Sequence, residues 1–455
     1  MDGKRGNRMT KFEELVQKNN IYLSAELSDF ILSLERKYKI INSFDHYNSL
    51  VNFSQNKNIP VHEWFKYREG FSGALIDELI NDSDLNKDDM VVDPFVGSGT
   101  TLVSAVSKGF DAIGVDVNPM SAAISKVKSS IYSDKEIDNA LNYLSIIKKS
   151  YDAIEINDIE DISKYFPLNN YIGLKKIFNL LEKNKEKKVY DILFCAYLSI
   201  IEECSNRRRD GNGLKTVITK IDNVLELFEK KVLQIVEDVK TVSSKFKGKS
   251  YVFAGTSLNL STFCDQVKEI NKKKIGSIIF SPPYANSFDY FESYKLELWL
   301  GGFLRDSNIN NYRSSAVRSF IGGEHENDSD HYVSQLADEI QKAIPLKEQE
   351  TGKKDARTRK VPQMIKGYFK DMENVVCECY KSLRDGGKCY IVIDQSSYLG
   401  KIVPSDLLVA YSAEKIGFTV EKIIECRNAK TSAQQIRKYP YLKEILRESI
   451  IVLRK

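Results

Sequence analysis

The chain is poor in the residues that staple or metallate small folds. Its seven cysteines are scattered over 455 residues, and Cys377 and Cys379, the closest two, have no second pair nearby. That spacing argues against a disulfide framework or a zinc site, and for reduced thiols packed in a core. The four histidines form no cluster, so no metal centre is expected. Charge of one sign is also scarce: 67 Lys and Arg stand against 63 Asp and Glu, a net +4 that permits a nucleic-acid partner without identifying one. No run of about 18 apolar residues occurs, and the N-terminal "MDGKRGNRMTKFEELVQKNN" has no apolar signal core. Neither a membrane span nor export is expected, which places the protein in the cytoplasm. Proline is sparse, ten in all, which makes two in succession at 282 and 283 conspicuous.

What is present suffices for a large core. The apolar fraction is 42%, with 24 tyrosines and 22 phenylalanines. Residues 1–60 read as a polar helical segment, with helical apolar spacing in "LSAELSDFILSLERKY". "VHEWFKYREGFSGALIDELI" is an aromatic loop entering a helix near Ser72. Residues 89–119, "DMVVDPFVGSGTTLVSAVSKGFDAIGVDVNP", pattern as strand, glycine turn, helix, glycine turn, strand. Residues 121–250 lack strand signals and predict a long helical insertion. Strands return at 251–254 and 275–280, and residues 301–365 read as polar, irregular and basic in places. Toward the end, "YFKDMENVVCECYKSLRDGGKCYIVID" and "LVAYSAEKIGFTVEKIIE" each read helix, glycine turn, strand, and "ESIIVLRK" closes with another strand. The expectation is a doubly wound α/β sheet, built from 61–120, 251–300 and 366–455, with insertions at 121–250 and 301–365.

Two stretches carry chemistry. In "DPFVGSGTT", Gly97 and Gly99 allow a tight turn and a close backbone approach to a ligand. Asp116 ends the next strand, where an acid can accept both hydroxyls of a ribose. No lysine follows Gly99, as a P-loop requires, and Leu102 stands where a dinucleotide fingerprint has its third glycine. The pattern suits an adenosine without a pyrophosphate, such as S-adenosylmethionine, with Asp93 near its charged end. The second stretch, "IGSIIFSPPYANSFDYFESY", runs a buried strand into Ser281, Pro282, Pro283 and Tyr284. Two prolines remove two N–H donors, so the chain there neither continues a ladder nor starts a helix.

"DPFVGSGTT" followed by "SPPY" closely resembles the amino-methylating, S-adenosylmethionine-dependent DNA methyltransferases, which modify cytosine N4 or adenine N6. The resemblance implies a Rossmann-like class I methyltransferase sheet. It implies that Asp93, Phe95, Gly97, Gly99 and Thr100 line the cofactor, with Asp116 on its ribose. Phe71, from the aromatic segment, and Ser257, from "FAGTSLNL", would add contacts. Ser281, Pro282, Pro283 and Tyr284 would be catalytic: carbonyl acceptors and the Ser281 hydroxyl hold the amine hydrogens, and the Tyr284 ring stacks on a flipped base. Double-stranded DNA and a cognate restriction endonuclease are the implied partners. Serine before the prolines favours cytosine N4. An adenine-N6 enzyme, an RNA methyltransferase and a catalytically idle DNA-reading subunit remain as alternatives. Cytosine C5 chemistry needs a Pro-Cys pair, and no proline here precedes cysteine. DNA recognition is expected from 121–250 or from 301–365, with Arg207, Arg208 and Arg209 of "CSNRRRDGNGLK" as candidate contacts.

Overall fold

The computed structural model describes the chain apart from residues 1–9, 18–21, 58, 68–69, 186–187, 212, 306–307, 323–328 and 430. Its centre is a sheet of β1 (Ile40–Asn42), β2 (Asp89–Asp93), β3 (Asp111–Asp116), β4 (Ser250–Ala254), β5 (Lys274–Phe280), β6 (Leu383–Asp394), β7 (Thr419–Asn428) and β8 (Arg447–Arg454). The spatial order is β1-β7-β8-β6-β5-β2-β3-β4. All neighbours are parallel except β8, which runs antiparallel to both β7 and β6. From β2 the chain lays β3 and β4 to one side and then returns to place β5 on the other. The order therefore reverses between β2 and β5, and a doubly wound sheet opens a crevice at that point.

The strands β2, β3, β5, β6 and β8 are buried on both faces, as strands between helical layers must be, whereas the edge strands β1 and β4 are only half-buried. Alternation sorts their side chains: Val91 and Ala112 join one core, whereas Met90, Val92, Ile113 and Val115 join the other. The helices Gly73–Asp82, Thr100–Ser107 and Pro119–Lys128 belong to the first layer, and Leu260–Asn271, Val361–Ser382 and Ser405–Ile416 to the second. Four long helices, Asp134–Ser150, Leu168–Glu182, Lys188–Cys204 and Val224–Val242, fill the insertion between β3 and β4 and extend the first core.

Several expectations need correcting. The insertion is not purely helical, because Arg207–Asp210 and Gly213–Thr216 pair as an antiparallel hairpin. The segment 301–365 is not irregular throughout: His331–Thr351 is a helix that buries Val333, Leu336, Ala337, Ile340 and Ile344. The segment 1–60 also contributes β1, which pairs in parallel with β7. The glycines of "RDGGK" lie within β6 rather than before it. The register skips there, from Ile275 opposite Leu383 to Ser277 opposite Lys388, with Gly386 at φ +74. All seven cysteines are unbridged, and six are buried. Among the described residues no helix is long and apolar enough to cross a membrane.

Candidate active site

The C-terminal ends of β2, β3, β4 and β5 share one edge of the sheet, and a cleft of about 730 Å³ lies over them, counting space open to solvent. Phe95, Asp116, Asn118, Thr256, Ser257, Ser281 and Pro283 line its floor and walls. The loops after four strands thus meet where the strand order reverses.

The glycine turn is braced from within. Asp93 is 1% exposed; its carboxylate accepts from the Phe95 N–H at 2.9 Å and from the Thr101 hydroxyl at 2.6 Å. Burial pushes its carboxyl up to about 7. Asp116 accepts from the Gly97 N–H at 2.9 Å and the Asn118 N–H at 2.8 Å, and burial pushes it up to about 6. A carboxylate offers roughly four lone-pair sites, so two bonds leave acceptor capacity toward the cleft. Gly97 and Gly99 are required as glycines. Both have positive φ, and a Cβ would lie 3.0 Å from the Tyr67 ring in the first case and 2.9 Å from the Ser125 Cα in the second.

Of the expected cofactor contacts, Phe95, Asp116 and Ser257 line the cleft. Asp93, Gly97, Gly99 and Thr100 shape the turn behind it. Phe71 is turned away: its side chain is 7% exposed within the first core. Tyr67, four residues earlier in the same aromatic stretch, takes the cleft wall instead, packed against Gly97, with its hydroxyl 3.4 Å from Ser121 Oγ. Burial and the Asp116 carboxylate push the Tyr67 hydroxyl well above its usual value. No motif marks Tyr67 within its aromatic stretch, nor Asn118, Phe288, Tyr290 or Phe320, which also line the cleft. Phe320 had no local signal at all, because the segment carrying it is joined to the cleft only by the tertiary fold.

The proline turn departs from expectation in one respect. Ser281 and Pro283 face the cleft, but Tyr284 is 9% exposed and packs in the second core. Its hydroxyl donates to Glu448 Oε1 at 3.0 Å and accepts from Ser281 Oγ at 3.1 Å. Glu448 is itself buried and paired with Arg427. Two polar partners hold the hydroxyl; among the described residues the aromatic side chains lining the cleft are Tyr67, Phe95, Phe288, Tyr290, Phe291 and Phe320.

The three arginines differ in their surroundings. Arg209 is 7% exposed and lies between Glu202 and Glu297, with its guanidinium 4.3 Å from the Tyr294 ring centre. Tyr294 in turn stacks on Tyr67 at 5.2 Å. Arg208 donates to the carbonyls of Glu202, Glu203 and Ser205 at the C-terminal end of helix Lys188–Cys204, where a cation is favoured. Arg207 lies over the Tyr165 ring.

The family model described as DNA methylase, of the N6/N4 methyltransferase type, matches residues 10–127. The chain is 30% identical over 482 residues to the type II methyltransferase M.BsoBI of Geobacillus stearothermophilus, covering 93% of this chain and 92% of that protein. It is 27% identical over 472 residues to the type II methyltransferase M.AvaI of a Nostoc species, covering 97% and 96%. A shorter match, 23% over 270 residues, links it to the type II methyltransferase M.MvaI of Kocuria varians. These matches place the chain, with its α/β sheet and a cleft at the switch point, among the DNA methyltransferases. The chain belongs to the amino-methylating DNA methylases of the N4/N6 type.

Methyltransferases of this family draw on S-adenosylmethionine, and the cleft fits it. The Asn118 side-chain NH₂ is buried and has no hydrogen-bond partner among the described residues, although its carbonyl accepts from the Met120 N–H at 3.0 Å. A buried donor beside a carboxylate with spare lone pairs is the donor set that a ribose or an adenine satisfies.

Proposed function

We propose that the protein methylates the exocyclic N4 amine of cytosine in duplex DNA, as the modification component of a type II restriction–modification system with a cognate endonuclease. The observation that carries this reading is the placing of Ser281 in the wall of the cleft that Asp116 and Asn118 also line. S-adenosylmethionine, when bound, supplies an electrophilic methyl group. The chain's own residues do the rest. Asp116 and Asn118 hold the nucleoside part, Phe95 and Tyr67 wall it, and Ser257 offers a hydroxyl. Because Ser281 donates its proton to Tyr284, its oxygen lone pairs stay available to accept the amine hydrogens of a base. With the Pro282 carbonyl as a second acceptor, the amine would be held with its lone pair free to attack the methyl group that the cofactor would supply, which is catalysis by positioning. The prolines keep that turn stiff. A base reaches such a cleft only outside the helical stack.

Serine at 281, and the type II methyltransferases among the relatives, support this reading. Nucleoside mass spectrometry of plasmid DNA from cells expressing the protein tests it, with N4-methylcytosine as the expected product. N6-methyladenine would reassign the base. Methyl groups found on RNA alone, or none on any nucleic acid, would overturn the DNA reading. The Ser281→Ala variant should lose product by about 10²-fold or more while still binding cofactor.

A further inference from the structure

Residues from the two segments expected to recognise DNA meet across one groove. It has a volume of about 1720 Å³, counting space open to solvent. One wall comes from residues 160–178 of the insertion and the other from residues 292–313, directly after the proline turn. Helix Tyr290–Ser293 joins this groove to the active-site cleft, because Tyr290 and Phe291 line the cleft and Glu292 lines the groove. Among the described residues, five lysines and arginines line the groove; Lys175 pairs with Glu160, Arg305 with Glu182 and Arg313 with Asp289.

The charge is concentrated at one ring. Lys164 lies 5.5 Å, Lys295 5.0 Å and Arg207 4.9 Å from the centre of the Tyr165 ring. Lys295 is paired with Glu292. Arg207 donates to the Thr216 hydroxyl and the Asn206 carbonyl, both neutral. Three cations around one ring, with one carboxylate among them, leave a local positive excess that an incoming anion relieves. Trp299 adds a 41%-exposed indole to the same groove.

We propose that this groove is the surface that seats the phosphate backbone of duplex DNA, with Lys164 and Lys295 of its lining and Arg207, over the Tyr165 ring beside it, as the phosphate contacts. The proposal rests on the DNA-methylating reading above and says where in this chain the duplex lies. It also divides the arginine run: Arg207 serves the partner, while Arg208 and Arg209 build the platform. Phosphate contacts fix the position of a protein on a duplex, and a groove continuous with the cleft delivers an extruded base to Ser281.

The test uses the full chain and duplex plasmid fragments, with binding measured by fluorescence anisotropy at several salt concentrations. The variant Lys164→Gln/Lys295→Gln/Arg207→Gln should bind at least about tenfold more weakly. Its plot of log affinity against log salt should flatten by roughly 2 to 3, since each phosphate contact contributes about 0.9. Calorimetry should give an unchanged affinity for S-adenosylmethionine. The control Lys249→Gln/Lys272→Gln/Lys274→Gln makes the same charge change near the opposite edge of the sheet and should leave the slope nearly intact. Wild-type affinity and slope in the groove variant, or an equal loss in the control, would overturn the groove while leaving the enzyme reading standing. Wild-type protein that binds the cofactor but no duplex would overturn both.

Discussion

At the scale of single residues, the carboxyl of Asp116 makes the site sensitive to pH. Burial holds it at about 6, above its ordinary value of 3.8. Only the ionised form accepts hydrogen bonds with full strength, so affinity for S-adenosylmethionine should rise between about pH 5 and about pH 8. Folding stability has the opposite sign. A carboxyl raised in the folded state stabilises the protein below 3.8, and that contribution is lost as pH rises through about 6 for Asp116 and about 7 for Asp93. Titration calorimetry across that range should show the rise in affinity for wild type and a flat, weaker response for Asp116→Asn, by about 1.5–3 kcal/mol at neutral pH. A second residue-scale expectation concerns Tyr284. Tyr284→Phe keeps the ring but takes one donor from the buried Glu448, at a cost of about 1–3 kcal/mol of stability. Tyr284→Ala adds a cavity, and the loss should reach about 3–5 kcal/mol. Denaturant unfolding of both variants measures this, and equal stability of Tyr284→Phe and wild type would mean the hydroxyl contacts are not made.

At the scale of elements, the hairpin Arg207–Thr216 is fastened by a buried charge. The Glu297 side chain is 1% exposed and faces the Arg209 guanidinium, which also meets Glu202. Removing the cation alone strands a carboxylate in the core, so Arg209→Ala should cost about 3–5 kcal/mol. The paired change Arg209→Met/Glu297→Met replaces both charges by apolar groups and should recover most of that loss. Thermal unfolding of the two variants separates this fastening from a surface role for Arg209, under which neither change would matter. The hairpin was legible in retrospect, since "DGNG" is a turn signal. Its strands carry charge instead of the alternating apolar pattern that marks a strand. The helix His331–Thr351 had its signal too, with apolar residues at 333, 336, 337, 340 and 344. Pro345 within it argued the other way, and burial of one face outweighed the lost hydrogen bond. β1 is three residues long, and no periodicity exists at that length.

At the scale of the whole molecule, local sequence located the parts of the site that one βα turn or one strand end contains. The glycine turn, Asp116, Ser257 and the proline turn all lie where their own strands put them. What sequence could not supply was the wall built from elsewhere: Ser315, Val317 and Phe320 reach the cleft from a segment that only tertiary packing brings there, and nothing local picks Tyr67 over Phe71 within the aromatic stretch. That same packing ties the cleft to the insertion, because Tyr67 stacks on Tyr294 and Tyr294 lies against Arg209. Cofactor binding should therefore stabilise the insertion together with the sheet. At about a hundredfold excess over the dissociation constant, a ligand that binds only the folded state adds about 2.7 kcal/mol. Calorimetric scans should show one transition that moves up as a unit when S-adenosylmethionine is added. In Asp116→Asn the shift should shrink with the lost affinity, while Tyr294→Leu should split the helical insertion from it, leaving an early transition that the cofactor does not move. An insertion that already melts separately in the wild type, at a temperature indifferent to the cofactor, would show that the stack from Tyr67 to Arg209 does not couple the two.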